Sequence, residues 1–170
     1  YFWENKSFKW IVYLERKHFE MKDITAKYST LRIASASARI NVSNADTIEA
    51  IKNNKVPKGN VLEMSRAAGL LGIKNTPLIL PDCHPIPIES SEINYAIDQL
   101  TITIHVEVKT IYKTGVEVEA MHGASVVALN IYDMLKPIDK GVYISDIKLE
   151  NKKGGKSQHI KDIDPNITAC

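Results

Sequence analysis

The sequence predicts an α+β fold, a ferredoxin-like antiparallel sheet with helices packed on one face. Two runs alternate apolar and polar residues in the period of a half-buried strand: Ala34, Ala36, Ala38, Ile40 and Val42, then Leu100, Ile102, Ile104, Val106 and Val108. A third run, Thr114 to about Lys136, has the length and apolar spacing of a long helix. In chain order the elements run strand, helix, hairpin, helix, strand, the order of an antiparallel sheet covered on one side.

Each element has its own signals. Residues 1–20 hold both tryptophans, all three phenylalanines and two tyrosines, and the composition shifts at Met21. Charges at Glu4, Lys6, Lys9, Glu15, Arg16 and Lys17 exclude a secretory leader, so 1–20 reads as an atypical extension. The first strand starts at Leu31, and its small inner alanines predict a closely packed helix. Asn44 to Lys52 reads as a short helix. After the turn Pro57-Lys58-Gly59-Asn60, the Asn60 and Glu63 pair caps a helix predicted to end at Gly72. Four prolines between Thr76 and Ile88 predict a stiff, irregular loop. Ile93, Tyr95 and Ile97 form the first hairpin strand, Asp98-Gln99 its turn, and Leu100 to Val108 the second. In the long helix, Val118, Met121, Ser125, Ala128, Tyr132 and Leu135 are spaced for burial. Asp139-Lys140-Gly141 turns into a last strand ending near Glu150, before a lysine- and glycine-rich tail. Residues 161–170 read as a linker that could lead to a further domain.

Composition narrows the function. A chain of 170 residues builds one domain with a real core, here placed at 21–160. The net charge of +2 gives no argument for nucleic acid, so any anion site must come from locally clustered lysines. Cys83 and Cys170 form no CxxC pair, which fits a reducing compartment rather than a disulfide scaffold. No apolar run reaches membrane-spanning length. A cytoplasmic protein with no membrane partner is expected.

Four constellations could carry chemistry. Thr114 and Glu117 have the spacing of a capping box, the simplest local reading of Thr114-Gly115-Val116-Glu117-Val118-Glu119. Glu119, His122 and Asp133 also fall within a narrow arc of this helix, with Lys136 at its edge, as an acid–base site would require. The second copy that a di-metal Glu-x-x-His site needs is missing, so no metal ligands are expected. Cys83 and His84 sit in the proline-rich loop, where adjacency alone does not make a nucleophile pair. Lys152-Lys153-Gly154-Gly155-Lys156-Ser157 fails as a phosphate loop, because Glu150 stands at the first glycine position and Pro165 follows where a helix should start. Its glycines and lysines can still wrap an anion. His105 lies on the polar face of the best strand, as an exposed residue.

In order, these segments resemble the MoaC family. The resemblance rests on Lys58-Gly59-Asn60-Val61, Pro81-Asp82-Cys83-His84-Pro85, Lys113-Thr114-Gly115-Val116-Glu117-Val118-Glu119-Ala120, Ile131-Tyr132-Asp133-Met134-Leu135-Lys136 and Gly154-Gly155-Lys156-Ser157. The opening Met21 to Lys27, with Thr30 and Arg32, is similar too. Departures are Asn60 for aspartate, Asp82 for an apolar residue, His122-Gly123 for a threonine–alanine type pair, and Gln158 for glycine.

The resemblance implies a lyase of molybdenum cofactor biosynthesis, without cofactor, acting on a cyclised dihydroguanosine triphosphate to give cyclic pyranopterin monophosphate and pyrophosphate. It implies Lys58, Asp133 and Lys136 as catalytic residues, and Cys83, His84, Glu117, Glu119 and Lys156 as substrate-binding residues. It also implies a hexamer, a trimer of dimers with active sites at the dimer interface. The apolar hairpin strand and alanine-rich first strand, with more apolar surface than one small domain needs, point the same way. Two rivals remain: a non-catalytic, self-associating module binding a nucleotide or anion, and a metal-dependent hydrolase using Glu119, His122, His84 and Asp133.

Overall fold

The computed structural model describes residues 21–155 and, for the backbone, 159–160. The extension at 1–20, the linker at 161–170 and Lys156 lie outside the described residues. The elements are β1 (Thr30–Asn41), α1 (Ala45–Lys52), α2 (Val61–Ile79), β2 (Ser90–Ile97), β3 (Thr101–Tyr112), α3 (Glu117–Leu135), β4 (Tyr143–Lys153) and the short β5 (His159–Ile160). The sheet order is β2-β3-β1-β4-β5, every neighbouring pair antiparallel. Strand β3 separates β1 from β2, and β1 separates β3 from β4, so two split β-α-β units interlock. That is the ferredoxin-like arrangement, with the sheet extended beside β4 by β5.

The alternation in β1 and β3 puts one apolar face under α3. Ala34, Ala36, Ala38 and Ile40 pair across the sheet with Val108, Val106, Ile104 and Ile102, and all eight are buried. Alanines on the central strand leave room for α3, which packs on β1, β3 and β4. Glycines let α2 come equally close to α3: a side chain on Gly72 would strike Val126, and one on Gly123 would strike Ile73.

Four sequence expectations need correction. The buried stripe of α3 is rotated: Ala120, Ala124, Val127, Ala128, Ile131 and Leu135 are buried, whereas Val118 and Tyr132 are exposed. Both stripes are apolar enough to read as core, and only the packing partners decide between them. Secondly, α2 does not stop at Gly72 but runs to Ile79, through Pro77. Proline cannot donate to the carbonyl four residues back. Here the Thr76 hydroxyl takes over that carbonyl, bonding Ile73 O and Gly72 O at 3.1 Å each. Thirdly, Thr114 caps nothing: Val116 is the N-cap residue and makes no side-chain cap bond. Lastly, the inner faces of β1 and β3 are covered, and the surplus apolar surface lies elsewhere: at Leu31, Leu100 and Ile111 of the sheet region and at Leu71, Leu78 and Leu129 of the helices. The Asn60 cap holds, its Oδ1 accepting from Glu63 N at 3.1 Å.

Beyond α3 the turn is fastened by Asp139, a buried carboxylate. It accepts from Ser43 N (2.8 Å), Ser43 Oγ (2.6 Å), Thr47 Oγ1 (3.1 Å) and Gly141 N (2.9 Å). Burial pushes its pKa up, but these four bonds outweigh it and hold the carboxyl below its ordinary value.

Candidate active site

The two ends of α3 carry different chemistry. At its C-terminal end, Lys58 comes from the turn before α2, where Gly59 takes a positive φ of 101°. Its Nζ donates to Asp133 O (2.9 Å) and Asp133 Oδ2 (2.6 Å). Lys136 Nζ closes on Asp133 Oδ1 at 2.7 Å. Bonds first from Lys136 and then from Lys58 hold the Asp133 carboxyl down at about 2. The same contact pushes the Lys136 ammonium up. All three side chains are substantially exposed. This is an anionic centre clamped between two cations on an open surface.

At the N-terminal end, β1, β3 and β4 converge on the first turn of α3. Lys22, Lys27, Arg32, Lys113 and Lys152 line a cleft of ≈ 720 Å³ together with Tyr28, Thr114, Glu117 and the pair Gly154-Gly155. Arg32 is aimed by Nε to Tyr112 O at 3.2 Å and by a terminal nitrogen to Lys113 O at 3.4 Å. Gly154 and Gly155 take φ values of 93° and 84°, and a side chain on Gly155 would occupy the place of the Arg32 guanidinium. Glycine is therefore required there twice over. Lys152 pairs with Glu117, both half-buried. Two residues on, Glu119 is only 3% exposed. Burial raises its pKa; a bond from its own backbone N–H opposes this, and the nearby Glu117 charge adds to it.

The proline-rich loop serves this same end. Cys83 is half-buried, and burial, then Glu119 and Asp82, push its thiol up. Protonated thiols are poor nucleophiles. His84 turns away from it, with Nε2 2.8 Å from the Lys22 carbonyl. The Cys83 and His84 pair is thus no nucleophile and base.

The arc of Glu119, His122 and Asp133 does not form one site. At ~1.5 Å per residue, the helix from Glu119 to Asp133 spans about 21 Å. His122 belongs to the helix–helix contact, its Nδ1 3.0 Å from Thr76 Oγ1. The Thr76 hydroxyl proton is committed to α2 carbonyls, so the ring donates and Thr76 accepts. Among the described residues, no three His, Cys, Asp or Glu side chains gather as metal ligands would. The structure thus brings together Lys58, Asp133 and Lys136 at one end, and Cys83, Glu117 and Glu119 at the other. Sequence reasoning missed Lys22, Lys27, Arg32, Lys113 and Lys152 as one cleft, although four of them stand in the motif segments and Lys152 in the basic tail. His105 is exposed on the open sheet face, as predicted.

Known proteins match this chain over most of its length. The MoaC family pattern matches residues 21–155, the span that carries both clusters. The chain belongs to the MoaC family. Among MoaC-family relatives, a protein of Desulfitobacterium hafniense is 42% identical over 153 residues, covering 86% of this chain and 93% of its own. One from Clostridium perfringens is 45% identical over 139 residues, covering 81% and 87%. A third, from Campylobacter jejuni, is 44% identical over 145 residues, covering 84% and 92%. Each bears the name cyclic pyranopterin monophosphate synthase. A de novo designed protein with ferredoxin fold matches 78% of this chain and 96% of its own at 11% identity and a TM-score of 0.42, which adds nothing to the topology above. Among the described residues no helix is long and apolar enough to cross a membrane.

Proposed function

We infer that this MoaC-family chain is a lyase with the activity its relatives are named for. It converts (8S)-3′,8-cyclo-7,8-dihydroguanosine 5′-triphosphate into cyclic pyranopterin monophosphate and pyrophosphate, in molybdenum cofactor biosynthesis. One observation carries the reading: every family site residue that the structure describes, save His84, joins one of two polar clusters. His84 joins the cleft indirectly, by holding the backbone at Lys22. The functional domain is 21–160.

The cationic cleft suits a triphosphate. When an oxygen of the substrate closes on the phosphorus nearest the sugar, pyrophosphate leaves with growing negative charge. Arg32, Lys113 and Lys152 are fixed where such charge is stabilised best, in preorganised positions. Lys156, next in sequence after the cleft-lining Gly155, adds a further cation. Ring rearrangement needs proton transfers, and groups do this best with pKa values near working pH. Glu119, whose proton affinity burial raises, moves in that direction. Asp133, at about 2, is far too weak a base while its surface stays open.

A second copy of the chain resolves this. If the cleft of one protomer covers the Lys58, Asp133 and Lys136 cluster of another, desolvation raises Asp133 and both half-sites meet one substrate. Exposed Leu71, Leu78 and Leu129 supply apolar surface for association. The assembly is a hexamer built from dimers.

The test is to supply the cyclic dihydro-GTP intermediate and measure pyrophosphate and the pterin product. Release of both, insensitive to chelator, is the expected result. Binding without conversion would establish the non-catalytic module, and chelator-sensitive hydrolysis the metal enzyme.

A further inference from the structure

We propose that Tyr28 is the plate on which the substrate's ring system stacks, so that the cleft distinguishes a purine-type nucleoside triphosphate from bare polyphosphate. The proposal rests on the functional reading above and adds a specificity residue that the catalytic clusters do not contain. Among the described residues lining the cleft, Tyr28 is the one aromatic side chain; five of the others are lysine or arginine. It is 87% exposed, so neither face of its ring is committed to the protein core.

Single exposed aromatics are ordinary on protein surfaces. This one differs in two respects. Its backbone is pinned on both sides rather than carried on a loose loop. Upstream, Asp23 Oδ1 accepts from Thr25 N and Thr25 Oγ1 at 2.8 Å, Lys27 N donates to Ile24 O at 3.1 Å, and Lys113 Nζ holds Thr25 O at 3.0 Å. His84 fixes the Lys22 carbonyl. Downstream, β1 begins at Thr30, in register with Tyr112. The second respect is chemical. Lysines and arginines satisfy phosphates but give a neutral, planar heterocycle little beyond edge hydrogen bonds. Such a ring is held by a π-face, which tolerates changes in its edge pattern as the chemistry proceeds. A substrate whose edges are rebuilt during turnover is served better by a plate than by a fixed set of donors.

The test is calorimetric titration of the full chain with two probes, guanosine triphosphate and inorganic tripolyphosphate. In Tyr28→Ala, nucleotide affinity should fall by roughly five- to a hundredfold, the range for losing one base–aromatic stack. Tripolyphosphate affinity should stay within about twofold, because the cations remain. Tyr28→Phe, which restores the ring without the hydroxyl, should restore nucleotide binding. Arg32→Ala should weaken both probes. Equal weakening of both probes by Tyr28→Ala, or no change in either, would overturn the stacking role while leaving the cleft as an anion site. Failure of the wild-type chain to bind either probe would remove both the cleft assignment and the stacking role. Turnover of the cyclic intermediate, scored separately, decides the enzymatic reading.

Discussion

The two ends of α3 hold the same kinds of side chain and treat them oppositely. At the N-terminal end a carboxyl is buried, and its proton is held more tightly than usual. At the C-terminal end a carboxyl stands open between two ammonium groups, and its proton is held far more loosely. The difference shows that residue type alone does not assign an acid or a base. Desolvation and neighbours do. One end has the cavity and the buried carboxyl, the other the lysine-clamped carboxylate, with about 21 Å of helix between Glu119 and Asp133.

The largest expected effect lies at the C-terminal end. Asp133→Asn and Lys136→Ala should each lower kcat by ~10²–10⁴-fold, the range for a lost proton-transfer group. Their melting temperatures should barely move, since exposed ion pairs contribute little to stability. Retention of more than about a tenth of the wild-type rate would remove Asp133 and Lys136 from the chemistry.

Next comes the fastening of that same end. Asp139→Ala strands donors from Ser43, Thr47 and Gly141, and should lower unfolding stability by about 2–4 kcal/mol in denaturant titrations. Because its folded pKa lies below the ordinary 3.8, its contribution is intact above that value and is lost as pH falls through the lower folded value. A wild-type acid transition unchanged by Asp139→Asn would contradict this.

The smallest effect on stability has the opposite sign. Glu119 has a raised pKa, so its cost to stability starts as pH rises past the ordinary 4.5 and is complete above its folded value. Glu119→Gln should lower kcat no more than Asp133→Asn does, yet stabilise the fold near neutral pH by about 0.5–2 kcal/mol, a trade common where sites hold strained groups. Loss of stability instead would mean that the ionised carboxyl is structurally satisfied.

Much of this was legible in the sequence, for identifiable reasons. Alternation named β1 and β3 because each has one buried face, and Asn60 announced α2 because a cap bond is local. Asp133 and Lys136 were legible as a pair because three residues bring them onto one helix face. The α3 stripe was not, since Val118 and Met121 are as apolar as Ala124 and Val127, and only the alanines of β1 choose between them. Nor was the end of α2, because Gly72 marks close approach to Val126 rather than a stop. The cationic cleft was the hardest feature to foresee. Lys22 and Arg32 share one segment, but Lys113 and Lys152 lie far along the chain, and only the antiparallel order of β1, β3 and β4 brings them to one end of the sheet.

The central claim, that half-sites from two chains act on one substrate, is tested most directly by mixing inactive variants. Asp133→Asn and Glu119→Gln chains, tagged differently, would be dissociated, mixed in equal amounts and reassembled. If each site takes Glu119 from one protomer and Asp133 from its partner, half of randomly paired dimers are mixed and each mixed dimer regains one intact site. About a quarter of wild-type turnover should then return, as two-fold symmetry requires. Mixed assemblies confirmed by their tags, with no recovered turnover, would show that both clusters serve the substrate from a single chain.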